Sequence, residues 1–332
     1  GNPAGLTRIG QRADVGLAWF SPLRKYDGSD LGGFPIGDSV TGGEVKSQNN
    51  DFFVPNFGYS FPIDTVSSVG VAVFGNGGMN SDYRNEDTVF GFGTFAGNPV
   101  AGANPPSPLV GLPGVRTLGS ADAGVNLEQL GIAFGYARDL ADNFSLGASF
   151  LIGYQTFEAK GLGGFQAFTR SFVQSMQNNG IFGVESPNNL TNNDEDSAWG
   201  YGFQIGALWD VNPMFSVGLS YRTKMYMDRF DKYADLFADK GDFDMPAVGS
   251  IGLAFRPNDQ WTIALDVQEI WYGDVDAVAN DNKLAERCDA FNQFGNFANL
   301  DTSYCLGGSS GAGFGWNDIT VFKIGVQYEL DN

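Results

Sequence analysis

Histidine is absent from this 332-residue chain. That removes Ser-His-Asp and Cys-His nucleophile chemistry, and the zinc sites that need imidazole. Cysteine occurs only as Cys288 and Cys305, both in one Gly/Asn/Asp-rich stretch. Two thiols cannot make a structural zinc site. In an exported protein they are expected to form one loop disulfide, with free thiols as the alternative. No cofactor, no metal centre and no enzymatic activity are expected. Basic residues are scarce, 19 against 38 acidic ones, for a formal net charge of −19. The chain therefore lacks the positive surface that nucleic acid requires. Its acidity reads either as plain solubility or as external loops meeting divalent cations at a lipopolysaccharide surface. No apolar run approaches the ~18 residues of a spanning helix. No signal-peptide pattern precedes Gly1-Asn2-Pro3, so the expectation is a processed start or a longer parent chain.

What is present is alternation. Glycine (47) and phenylalanine (29) are both abundant, which suits strands with small residues on one face and aromatics on the other. Over positions 143–155, Phe144, Leu146, Ala148, Phe150, Ile152 and Tyr154 alternate with small or polar residues, Leu151 excepted. A period of two means a strand between two different environments. The pattern recurs from Leu130 to Tyr136, Tyr201 to Trp209, Phe215 to Tyr221, Ile251 to Phe255, Trp261 to Val267 and Phe322 to Leu330. Weaker copies lie at Val15 to Trp19, Phe57 to Phe61 and Val69 to Val73.

About ten strands follow from this count. A soluble sandwich would alternate too. The connections favour a membrane barrel. Tight turns at 62–65, 139–143, 210–214 and 256–260 alternate with long connections at about 26–50, 77–122, 161–196, 230–242 and 274–316, as short periplasmic turns alternate with long external loops in outer-membrane barrels. Trp19, Tyr154, Trp209, Tyr221, Trp261, Trp271 and Tyr328 near strand ends fit interfacial girdles. The expected fold is all-β: an antiparallel transmembrane β-barrel. An open sheet would leave bare edges in lipid, so further strands are expected beyond these.

Four segments, in order, resemble the FadL family of Gram-negative outer-membrane transporters. Asn2-Pro3-Ala4-Gly5-Leu6 resembles the Asn-Pro-Ala end of that family's plug, or hatch. Val54-Pro55-Asn56-Phe57-Gly58 is similar to the second strand. Gly218-Leu219-Ser220-Tyr221-Arg222-Thr223-Lys224 resembles the Gly-x-Ser-Tyr-Arg strand, and Met245-Pro246-Ala247 the start of the following one. The resemblance implies a hatch end at 1–11 with motif Asn2, Pro3 and Ala4, and a barrel over 12–332 of a probable fourteen strands. Most of the hatch and roughly four C-terminal strands are then expected outside this sequence. It also implies passive transport of long-chain fatty acids or aromatic hydrocarbons, with lateral release near a kinked third strand. Here that strand carries Gly70 and Gly75, then Gly77-Gly78. Glycine can bend a strand, although barrel strands are rich in glycine anyway.

Ligand candidates follow. Phe165, Phe168, Phe172 and Met176 recur at helical spacing within 164–177. With Leu162 they either line an external groove or pack on another loop. Phe90, Phe92, Phe95, Val100, Leu109 and Leu112 in the second long connection have the same two readings. A fatty-acid carboxylate needs a cation beside apolar walls, and Arg222 and Lys224 fall on the lumen-facing register, as do Arg256 and Lys323. Asp266 and Glu329 share that face, so such charges could instead only brace the wall. The leading expectation is a monomer in outer-membrane lipid and lipopolysaccharide that moves hydrophobic small molecules. A porin, a surface adhesin and, least favoured for want of histidine, an outer-membrane hydrolase are the alternatives.

Overall fold

The computed structural model describes residues 1–28, 43–84, 122–180, 185, 187–288 and 297–330. Among them, ten strands form one antiparallel sheet, each beside its sequence neighbour: β1 (Arg12–Phe20), β2 (Phe52–Pro62), β3 (Ser67–Arg84), β4 (Asp122–Ala141), β5 (Phe144–Lys160), β6 (Asp196–Asn212), β7 (Phe215–Arg222), β8 (Ala247–Phe255), β9 (Trp261–Trp271) and β10 (Ile319–Tyr328). A two-residue strand, Tyr226–Met227, also pairs with β6. A separate hairpin joins Lys25–Gly28 to Gly43–Lys46 in the first long connection.

The sheet curls into an open barrel wall, and its two faces differ as the alternation requires. On the convex face Phe150, Phe203 and Phe322 are 40%, 53% and 77% exposed, whereas Gln155 and Phe157 on the concave face are 0% and 1%. Apolar surface on that scale is stable only against a non-aqueous phase. Aromatics pair across neighbouring strands near both rims, Tyr154 with Trp199 and Trp261 with Tyr328. The concave face is filled from two ends. Residues 1–9 lie inside at the tight-turn end, and the loops fold in at the other.

β3 runs past the loop start expected at 77. It reaches Arg84 because a register shift between Gly75 and Gly77 makes Asn76 an extra residue, after which pairing with β4 resumes. Inward-facing positions are even before the bulge (Gly70, Phe74) and odd after it (Gly77, Met79). A constant period of two therefore loses the strand there. On its other side β3 pairs with β2 only between Val73↔Phe57 and Ser68↔Pro62. Pro55, just beyond, has no N–H with which to extend the ladder. β2 stays paired with β1 from Phe52 to Ser60, so β2 and β3 part company above Phe57.

Candidate functional site

The N-terminal turn is built around Asn2. Its side chain caps a short 3-10 turn, Pro3–Gly5, by accepting from the Ala4 N–H at 3.0 Å. Its Nδ2 donates to the carbonyls of Ala207 and Leu219, each at 2.9 Å. Those residues are directly opposite one another in β6 and β7, so one amide clamps two wall strands. Pro3 suits the first position of the turn, which needs no N–H, and Ala4 is completely buried. Any side chain at Gly147 would collide with Pro3 and Ala4, and one at Gly206 with Asn2. A helical turn, α1 (Leu6–Ile9), follows. Its Arg8 pairs with Asp210 at 3.2 Å and donates to Ser145 at 3.0 Å.

Arg222 ends β7 on the concave face. Its Nη1 donates to Asn76 Oδ1 at 2.7 Å and its Nη2 to the Pro246 carbonyl at 3.4 Å, while Nε is buried without a partner. No carboxylate pairs with it among the described residues. It borders a trough of about 1210 Å³ that extends to Gly1, Asn2, Asp266 and Lys323. The other concave-face cations have neighbours of their own: Arg256 donates to Ser216 and Lys323 to Gln268, both at 2.8 Å. Lys224 lies beyond the end of β7 and is committed to Asp244 at 2.9 Å. Gly75, in the parted wall, is covered by Val54.

At the loop end Phe157, Phe230, Tyr233, Phe237 and Phe243 form a buried aromatic cluster, with Leu162 packed against it. Burial pushes the Tyr233 hydroxyl up to about 12. That hydroxyl donates to the Asp194 carbonyl at 2.8 Å. Beside the cluster, burial and then the charge of Asp244 push the Asp242 carboxyl up to about 6.

The third-loop helix expected over 164–177 is two pieces. A 3-10 turn, Gly163–Phe168, and α2 (Arg170–Asn179) are split at Thr169, which is extended and caps α2 by accepting from the Phe172 N–H. Phe172 and Met176 are wholly buried, and α2 packs on the short turns Phe297–Asn299 and Thr302–Tyr304 of the fifth loop. Only Phe165, 45% exposed, offers open apolar surface; Phe168 is half-buried. The Leu306 N–H donates to the Phe168 carbonyl, and Cys288 is bonded to Cys305 in the same loop. The structure thus gathers Arg222 with the β3 bulge, and Leu162 with the aromatics. It gives Phe172 and Met176 to loop packing. Candidates Phe90, Phe92, Phe95, Val100, Leu109 and Leu112 lie outside the described residues.

Sequence reading missed Asn76, Gln129, Gln155 and the aromatics of the fourth loop. The two glutamines sit on inward-facing positions, which was a usable signal. Phe230, Tyr233, Phe237 and Phe243 have no simple period. Among the described residues no cluster of acidic or sulfur ligands could hold a metal ion.

Comparison with known proteins fits this architecture. The profile of the family described as "Outer membrane protein transport protein (OMPP1/FadL/TodX)" matches residues 118–332. The chain belongs to this family. Its members are channels for hydrophobic compounds in the Gram-negative outer membrane, and that membrane is where this chain resides. Among solved structures it is similar to the toluene transporter TbuX of Ralstonia pickettii, at 17% identity and a TM-score of 0.57, covering 100% of this chain and 77% of that one. It is also similar to the toluene transporter TodX of Pseudomonas putida, at 17% identity and a TM-score of 0.58, covering 100% and 74%. At such identity the likeness is one of fold. No curated protein sequence matches the chain.

Proposed function

We propose that this chain belongs to a passive outer-membrane route for long-chain fatty acids. Arg222 carries the reading. A guanidinium on the concave face with only a neutral amide and a carbonyl for partners, and with its Nε unbonded, is a costly arrangement unless an anion completes it. A carboxylate fits it in a bidentate, charge-assisted way. The trough beneath accommodates an alkyl chain, and the parted wall between β2 and β3 supplies a sideways exit into the bilayer, beside Gly75. The third loop, through Leu162 and Phe165, would collect cargo from outside. Delivery through one wall needs one barrel, so the working unit is a monomer surrounded by lipid and lipopolysaccharide.

A second reading, uptake of monoaromatic hydrocarbons, is favoured by the likeness to two toluene transporters and needs no cation. Equilibrium binding of oleate and of toluene to the complete purified protein and to Arg222→Gln separates them. The fatty-acid reading expects oleate affinity to fall at least tenfold in the variant, the scale of a hydrogen bond to a charged group at ~1.5–3 kcal/mol, with toluene affinity unmoved. Toluene binding without oleate binding favours the second.

A further inference from the structure

Four side chains from four strands, together with the segment 243–246, close a hydrogen-bond circuit across the concave face. Arg222 donates to Asn76 Oδ1 at 2.7 Å. Asn76 Nδ2 donates to Gln129 Oε1 at 3.1 Å, and Gln129 Nε2 to Gln155 Oε1 at 3.0 Å. Gln155 Nε2 donates to the Phe243 carbonyl at 2.8 Å. The circuit returns from the Pro246 carbonyl, which accepts from Arg222 Nη2.

Between those two carbonyls lies Met245, wholly buried and joined to Met225 by two backbone hydrogen bonds. Its Sδ accepts from Asn76 at 3.4 Å. With Leu151, Met225 and Met227 it forms a small apolar cluster separate from the aromatic one. Phe243, at one end of the clasped segment, belongs to the aromatic cluster, and Pro246, at the other, is held by Arg222, which lines the trough that runs to Asn2.

We propose that the Asn76–Arg222 hydrogen bond is a latch opened by the cargo's own carboxylate. This rests on the fatty-acid reading above. Arg222 is the one charged member of the circuit, and its partner is a neutral amide. A carboxylate makes a hydrogen bond roughly twice as strong as a neutral acceptor does, and can make two in parallel. Its arrival at Arg222 displaces Asn76, and the circuit loses the link between β7 and β3. Asn76 is the extra residue of a bulge, where the ladder is already interrupted and rotation is least opposed. A carboxylate that takes both Nη groups of Arg222 also frees the Pro246 carbonyl, so segment 243–246 is then held by Gln155 alone among the circuit's side chains. Methionine thioethers, which have low rotameric cost and adapt their packing, let Met245 move aside. A neutral hydrocarbon cannot make this exchange.

The test uses the complete protein in cells without their own uptake system, with oleate as the anionic probe and N-phenyl-1-naphthylamine as the neutral one. Asn76→Asp gives Arg222 a permanent carboxylate, and oleate uptake is expected to fall at least tenfold. Asn76→Ala leaves the latch without its acceptor, and entry of the neutral probe is expected to rise severalfold. Independently of transport, Met245→Cys in the purified protein, where the native cysteines are bonded to each other, is expected to react severalfold faster with a maleimide once oleate is added. Wild-type oleate uptake by Asn76→Asp overturns the latch and leaves the fatty-acid reading standing. A Met245→Cys labelling rate indifferent to bound oleate does the same. Failure of the wild-type protein to bind or move oleate overturns the fatty-acid reading, and the latch with it.

Discussion

Ala4 packs so closely over Gly147 that no side chain can be accommodated on that glycine. The N-terminal turn and the β5 wall are thus matched to one another at the level of single atoms, with Asn2 tying the same turn to β6 and β7. Gly147→Ala is expected to lift the turn off the wall. Overpacking a close contact costs ~1–3 kcal/mol, and the displaced hatch should raise ion conductance of the complete protein in planar bilayers above the wild-type level. Unchanged conductance and an unchanged melting temperature would remove the hatch end as a structural plug.

Replacing Asn2 with Ala keeps the backbone but deletes the donor to two wall carbonyls and the cap on Ala4. These hydrogen bonds are part-buried or exposed and contribute ~0.5–1.5 kcal/mol each, so this variant is expected to lose stability on the scale of Gly147→Ala, read as a lower thermal midpoint in detergent.

The aromatic residues of the third loop separate into two kinds. Phe172 is fully buried and Phe165 is 45% exposed. Phe172→Asp puts an unpaired charge between the third and fifth loops, and limited proteolysis should cut both loops faster. Phe165→Asp should leave proteolysis unchanged and lower uptake if the loop collects cargo. Equal proteolysis of the two variants would contradict the packing described here.

Cys288 and Cys305 are 17 residues apart. Closing a loop of about that length contributes ~3 kcal/mol through the unfolded state. Non-reducing mass spectrometry should find the two joined, and dithiothreitol should speed cleavage of the fifth loop without dissolving the barrel. Two free thiols in the oxidised protein would contradict the pairing.

Asp242 supplies a pH dependence outside the membrane. Its carboxyl is pushed up to about 6 by burial and by Asp244, against the opposing positive charges of Lys224 and Arg229. A native-state value above the unfolded one means that the folded loop holds a proton the unfolded loop has released. The resulting stabilisation is present below the unfolded value, about 4, and is lost as pH rises through 6. Protection of the fourth loop against hydrogen exchange, corrected for the intrinsic rise of exchange with pH, should therefore fall between about pH 4 and 6, and Asp242→Asn should flatten that profile. A loop that tightens with rising pH would reverse the sign and the account.

The wall was legible in the sequence because lipid and lumen are two different solvents, and a strand between them must alternate. Even the exception, Leu151, has its reason: it faces inward to meet Met225 and Met245. β3 beyond Asn76 was not legible, since the bulge exchanges inner and outer positions. The break in the third-loop helix was marked by Thr169, a good cap three residues before Phe172 in hydrogen-bond order, but helical spacing alone runs through it. Arg222 could be singled out from its strand. Its partner could not, because Asn76 lies 146 positions away and only closure of the sheet brings the two together. Lys224 shared the register of Arg222 in sequence, but the chain leaves the ladder after Arg222 and delivers it to Asp244.

The most direct test of the central claim is uptake of labelled oleate by cells lacking their own transporter. They would carry the complete parent gene, with surface expression confirmed in parallel and labelled toluene as the comparison cargo. Oleate accumulation well above the empty-vector control, reduced about tenfold or more in Arg222→Gln, is the expected result. Good surface expression with no oleate accumulation would contradict the fatty-acid reading, and toluene accumulation in those same cells would establish the hydrocarbon one in its place.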